Sequence, residues 1–204
     1  MTKLAELGQP GARRRMTYEE FLEDPTIERA EWVDGEVVPM VGVTDEHDRV
    51  TTFILRLLAS WVETHSLGRV LKEPFNVKLG GANRPGRAPD VAFLSTAHLA
   101  RLHEKNVQGP VDVAVEVMSN GSRGTDRGDK YVEYEGAGVV EYWLIDSQRT
   151  VAKFYRLDSA GRYQLAPILD GVFRSEAVPG CWLRVKWLWD PPKLREAERE
   201  LGID

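Results

Sequence analysis

Strands and helices alternate through the middle of the chain, hairpin signals flank them, and one long helical stripe runs near the N-terminus. Together these predict an α/β or α+β fold with a mixed sheet. Residues 1–15, MTKLAELGQPGARRR, lack periodicity and hold Gly8, Pro10 and Gly11, so a loose tail is expected there. Thr17 with Glu20 three residues on is a capping box, and Pro25 ends the short helix it starts. AEWVDGEVVPM reads as a hairpin around Asp34-Gly35.

The run DEHDRVTTFILRLLASWVETH places Val50, Phe53, Ile54, Leu57, Leu58 and Trp61 on one wide apolar face, predicting a helix over 46–64. VLKEPFNVKL alternates as one strand, GGANRPGR is a flexible loop, and APDVAFLS is a further strand followed by a polar helix through 96–106. VDVAVEVM alternates with Val111, Val113, Val115 and Val117 on one face and Asp112, Ala114, Glu116 and Met118 on the other. RGDKYVEYEGAG is a helix closed by Gly136 or Gly138. EYWLID, TVAKFYRL and RYQLAPI are strands, WLRVKWLW a last buried or interfacial segment, and KLREAERE a charged terminal helix. The domain reading is a tail at 1–15, one domain at 16–192 and a charged helix at 193–204.

The 204 residues and 42% hydrophobic content suffice for one core. A net charge of -5 argues against non-specific coating of nucleic acid, which feeds on many Lys and Arg contacts, though it leaves room for a local basic groove. Cys181 is the lone cysteine, which excludes an internal disulfide framework and suits a reducing compartment. With no apolar run of membrane-span length and no leader-like N-terminus, a cytoplasmic protein without membrane contact is expected.

Three polar residues stand out from this scaffold. Asp90 begins an apolar strand, Glu116 sits inside the next, and Lys130 lies on the helix behind it. Two carboxylates on adjacent strands suit a hard divalent cation such as Mg2+ (or Mn2+), which keeps several waters and takes one or two protein carboxylates. Such an ion polarises a phosphoryl oxygen, and a nearby ammonium stabilises charge developing on phosphorus. The chemistry that fits is metal-assisted phosphodiester hydrolysis.

Pro89-Asp90, a spacer and a glutamate in an apolar strand resemble the PD-(D/E)xK nuclease superfamily, whose fold is restriction-endonuclease-like. The order MTYEEFLE, AEWVDGEVV, His47, APDVAFL, VAVEVMSNGS, DRGDKYVEYEGAGVVEYWLID and VPGCWLRV more narrowly resembles the Uma-type putative restriction endonuclease family. The resemblance implies a metal-dependent endonuclease acting on DNA, working as a homodimer. It implies Asp90 and Glu116 as metal ligands, Glu31 as an accessory acidic ligand, and a lysine moved from the position of Met118 to Lys130. Ser119-Asn120 stands where the family has Ser-Pro. His47 matches a recurrent position of unassigned role.

Simpler readings stand beside these. Asp90 would serve equally to terminate a loop, Glu116 to pair with Arg87, Lys130 to pair with Asp126 on a helix surface, and Glu31 to stand exposed on its strand. His47 would serve as a packed or capping residue. Arg84, Arg87, Arg123 and Arg127 flank the site as candidate phosphate contacts, although arginines in glycine-rich loops often have no such duty. Trp187, Leu188 and Trp189 suit either a dimer contact or the core. The rival functions are a non-catalytic nuclease-fold module for DNA or protein binding, and a phosphohydrolase on a small substrate.

Overall fold

The computed structural model describes residues 14–40, 42–81, 84–118 and 128–203. Helix α1, Tyr18–Glu23, opens on the capping box: the Thr17 side chain accepts from Glu20 N–H, and the Glu20 carboxylate takes Thr17 N–H at 2.8 Å. Strands β1, Ala30–Val33, and β2, Glu36–Pro39, turn through Asp34 (φ 50°) and Gly35 (φ 80°), the paired positive φ values of a type I′ hairpin. Helix α2, Asp45–Thr64, is N-capped by Thr44 and buries the predicted apolar stripe.

The expected single strand VLKEPFNVKL is two strands in two sheets, β3, Gly68–Lys72, and β4, Asn76–Lys78. Pro74 lies between them and has no N–H to give a ladder, so pairing stops there and the chain turns. Strands β5, Gly86–Arg87, and β6, Val91–Ser95, follow. The polar helix expected over 96–106 is a 3-10 helix, Thr96–Arg101, and then a strand, β7, Asn106–Gln108. Parallel pairing of β7 with β4 draws that segment into a sheet. Asp112 fixes the turn by accepting from Ser95 N–H at 2.7 Å and contacting His98 Nδ1 at 2.8 Å.

Strand β8, Val113–Val117, leads to helix α3, Asp129–Ala137, which ends on Gly138 in the left-handed region at φ 87°. Of the two glycines open from sequence, Gly138 is therefore the cap, because only it needs that conformation. Next come β9, Glu141–Asp146, β10, Val151–Leu157, and β11, Tyr163–Leu165. The chain continues through β12, Ile168–Leu169, β13, Val172–Arg174, and β14, Trp182–Arg184. A 3-10 helix, Val185–Leu188, and helix α4, Leu194–Leu201, complete it.

Among the described residues the main sheet runs β11-β10-β9-β8-β6-β3, with β8 and β9 parallel and the remaining pairs antiparallel. A second sheet runs β2-β1-β5-β4-β7, and a small third one β12-β13-β14. Strand β8 is central and buried along its whole length, so both of its faces need cover. Val113, Val115 and Val117 pack in the same cluster as α2, α4 and the small sheet, where Phe154 stacks on Phe173. Ala114 and Met118 share the opposite cluster with Tyr134 of α3 and with Val77 and Val107 of the second sheet.

Trp187 and Leu188 are buried in the first cluster and Trp189 packs against it, so these three belong to the core rather than to an exposed dimer contact. Arg14 and Arg15 also depart from the loose-tail expectation: Arg14 pairs with Asp24 at 2.5 Å and Arg15 with Glu36 at 3.4 Å. No helix among the described residues is long and apolar enough to cross a membrane.

Candidate active site

The ends of two paired strands build the site. Strands β6 and β8 run antiparallel with Val91 opposite Val115, so one residue further the backbone at Asp90 comes alongside Glu116. The Asp90 carboxylate is fixed there by Val117 N–H, which donates to Oδ2 at 2.7 Å. Helix α3 then crosses the strand end. Lys130 and Tyr134, one turn apart, both reach Glu116: the ammonium donates to Oε2 at 2.9 Å and the phenol to Oε1 at 2.8 Å.

Glu31 arrives from the second sheet, because β1 pairs with β5 at Trp32 and Gly86. Its carboxylate lies 3.2 Å from the Lys130 ammonium, accepts from Arg87 at 2.7 Å and takes Ala88 N–H at 3.2 Å. His47, at the start of α2, places Nε2 3.3 Å from Asp90 Oδ1 and Nδ1 3.5 Å from the Thr51 hydroxyl. Glu31, Asp90, Glu116 and Lys130 are each no more than 6% exposed, so the readings of Glu31 and Lys130 as surface residues do not hold.

Buried charges persist only when paired. Burial pushes the Glu31 carboxyl up, but the Lys130 ammonium and Arg87 guanidinium outweigh it and hold the group below its ordinary range. His47 is raised overall, its desolvation outweighed by the Asp90 carboxylate beside it. Tyr134 is pushed well up by burial and by Glu116, which keeps the phenol a proton donor. Lys130 and Arg87, two fixed positive charges, face four carboxylates: Glu31, Asp90, Glu116 and Glu133. A protonated His47 supplies one more. The excess of negative charge is what a cation site requires.

Asp90 and Glu116 offer hard oxygens from neighbouring strand ends, with Glu31 close behind through Lys130. Among the described residues no group of three or more His, Cys, Asp or Glu side chains is placed to hold a metal ion. Two carboxylates at neighbouring strand ends are the hard oxygen donors that a divalent cation takes when water completes its shell.

Arg87 is a correction. Expected to reach a phosphate or to neutralise Glu116, it is 3% exposed and has both edges engaged, forked onto Glu133 at 2.6 and 2.8 Å and paired to Glu31. A strand residue of the second sheet points inward here because β5 is buried between β1 and β4. Arg84 stays exposed, with Nη2 3.4 Å from the Gly136 carbonyl. Arg123, Arg127, Asp126 and the Ser119-Asn120 turn lie outside the described residues.

Sequence reasoning missed Glu133 and Tyr134, although their spacing of three and four from Lys130 in DKYVEY places all three on one helix face. Ser95, His98 and Asp112 also gather, but Ser95 Oγ (3.3 Å) and Asp112 Oδ1 (2.8 Å) meet the same Nδ1. A relay needs both ring nitrogens, so this cluster is a turn lock.

The fold has a solved counterpart in the crystal structure of a putative nuclease belonging to DUF820 from Anabaena variabilis ATCC 29413. The TM-score is 0.70 at 18% identity, covering 86% of this chain and 98% of that one. No curated protein matches the chain. The model of the family described as Uma2, Putative restriction endonuclease, matches residues 16–186. By that match across its sheets and candidate site, the chain belongs to the Uma2 family.

Proposed function

We propose that the protein is a divalent-metal-dependent endonuclease that hydrolyses phosphodiester bonds in DNA. The observation carrying this reading is the buried meeting of Glu116, Glu31 and Lys130 at the strand end beside Asp90. Asp90 and Glu116 would hold Mg2+ or Mn2+, with Glu31 completing the acidic rim. When bound, the ion supplies Lewis-acid stabilisation of the phosphoryl oxygens.

The chain's own residues do the rest. The Lys130 ammonium, steadied between two carboxylates, orients the attacking water and faces the charge that builds on phosphorus. Tyr134 fixes Glu116 by donating to it, and Arg87 fixes Glu31. Val117 N–H and His47 hold the Asp90 carboxylate in place, leaving little freedom to lose when substrate arrives. Arg84 stands at the surface as a phosphate contact. Cutting both strands of a duplex would use two copies, so a homodimer is part of the proposal.

Supercoiled plasmid in magnesium chloride tests it. Wild type nicks the plasmid, EDTA stops it, and Glu116→Gln slows it by at least about 100-fold, the scale of losing one preorganised group at developing charge. Equal nicking by wild type and Glu116→Gln overturns the assignment. A second reading, a binding module on a retired nuclease fold, is favoured by one observation: the Glu116 and Glu31 carboxylates already accept from Lys130, Tyr134 and Arg87. Duplex binding without nicking under Mg2+ or Mn2+ selects that reading.

A further inference from the structure

We propose that a groove between the outer side of α2 and the Pro191-Pro192 turn grips the phosphodiester backbone of DNA, a proposal that rests on the nuclease reading and extends it. The groove has a volume of about 310 Å³ and is lined by Arg49, Arg56, Lys193, Asp48, Pro191 and Pro192. Three cations stand there against one carboxylate. Among the described residues, none of the three makes a side-chain hydrogen bond or an ion pair.

The chain carries a net charge of -5, and several of its surface arginines are held by acids, Arg14 by Asp24, Arg162 by Glu135 and Arg184 by Glu200, whereas these three are not. A cleft of reversed sign, with its cations unneutralised, is complementary to a polyanion. Its dimensions fit as well. Arg49 and Arg56 are seven residues apart on one helix, roughly 10 Å along its axis. That length matches about three nucleotide steps of a strand rising about 3.4 Å each. Two consecutive prolines make the opposite wall rigid, so little order has to be acquired on binding.

The groove's position ties it to the site. Arg49 follows His47 by two residues, and the His47 ring lies 3.3 Å from Asp90. The near end of the groove is thus within one helical turn of the residue that touches the candidate ligand, around the helix from it. Sequence alone could not reveal it, because Lys193 joins the two arginines only after the chain has closed back on α2.

The test is fluorescence anisotropy on two labelled 24-base-pair duplexes of unrelated sequence, in EDTA, across a salt series. The proteins are wild type, R49A/R56A, K193A, and a control, R69A/K153A, which removes two exposed cations elsewhere. In the plot of log K against log salt, R49A/R56A lowers the slope by about 2 and K193A by about 1, equally for both duplexes. The control keeps the wild-type slope. Groove variants with the wild-type slope overturn the proposal, and so does wild type that binds neither duplex. Plasmid nicking by the same wild-type preparation separates the two failures: nicking that persists beside unchanged slopes sinks the groove alone, while absence of nicking under any divalent ion sinks the nuclease reading.

Discussion

Lys130→Met is expected to lose both activity and stability. The substitution keeps an unbranched apolar stem of four atoms but removes the ammonium that lies 2.9 Å from Glu116 and 3.2 Å from Glu31. On the proposed mechanism nicking falls by roughly 100- to 1000-fold, because the group assigned to the developing charge is gone. Stability at pH 7 falls by about 3 kcal/mol, the lower end of the cost of breaking a buried ion pair, because Arg87 remains on Glu31 and Tyr134 on Glu116. The pH dependence has a definite sign. In wild type Glu31 is held below its ordinary carboxylate range, so its contribution is present above the unfolded value near 4.5 and is lost as pH falls through the lowered folded value. The gap between wild type and variant in urea denaturation is therefore widest near neutrality and closes below about pH 4. A gap that fails to narrow as pH is taken well below the unfolded carboxylate value near 4.5 contradicts the pairing account.

Glu141→Leu should unfold the protein more readily without touching the chemistry. Glu141 is fully buried at the far end of β9, and its carboxylate gathers donors from three segments. Trp143 Nε1 donates at 3.0 Å, Ser175 Oγ at 2.8 Å, Glu176 N–H at 2.7 Å and Ala177 N–H at 3.2 Å, while Arg156 lies 3.3 Å away. Leucine fills similar space but removes the acceptor for Trp143 Nε1, Ser175 Oγ and the Glu176 and Ala177 N–H groups, while Arg156 keeps Glu176 and the Arg174 carbonyl. The expected loss is about 3–5 kcal/mol. At roughly 2–4 °C per kcal/mol for a chain of this size, thermal unfolding drops by about 6–20 °C. Glu141→Gln, which retains one acceptor, loses less. The nicking rate of Glu141→Leu at 20 °C stays near wild type. A melting shift under 2 °C would remove this hub from the account.

Local rules made much of this fold legible before folding was considered. Thr17 with Glu20, Asp34-Gly35 and the stripe from Val50 to Trp61 each act over a few residues, and each forms as its spacing dictates. The segments that departed were those where distant pairing competes. Residues 68–78 divide between two sheets at Pro74, and residues 106–108 leave a helical pattern to join β4. The site follows the same division. Asp90, Glu116 and Lys130 were visible because a carboxylate in an apolar strand is costly and must have a reason. Arg87 was misplaced because its loop looked solvent-borne, while pairing with β1 and β4 buries it against Glu31 and Glu133. Arg49, Arg56 and Lys193 went unnoticed since nothing in the linear order brings them together.

Crystals of the wild-type protein soaked in manganese chloride and measured at the manganese absorption edge put the central claim to its most direct trial. An anomalous peak lying about 2.1 Å from a carboxylate oxygen of both Asp90 and Glu116 is the predicted result. Crystals that show no manganese at these two side chains, at concentrations that saturate exposed acids elsewhere on the molecule, contradict it.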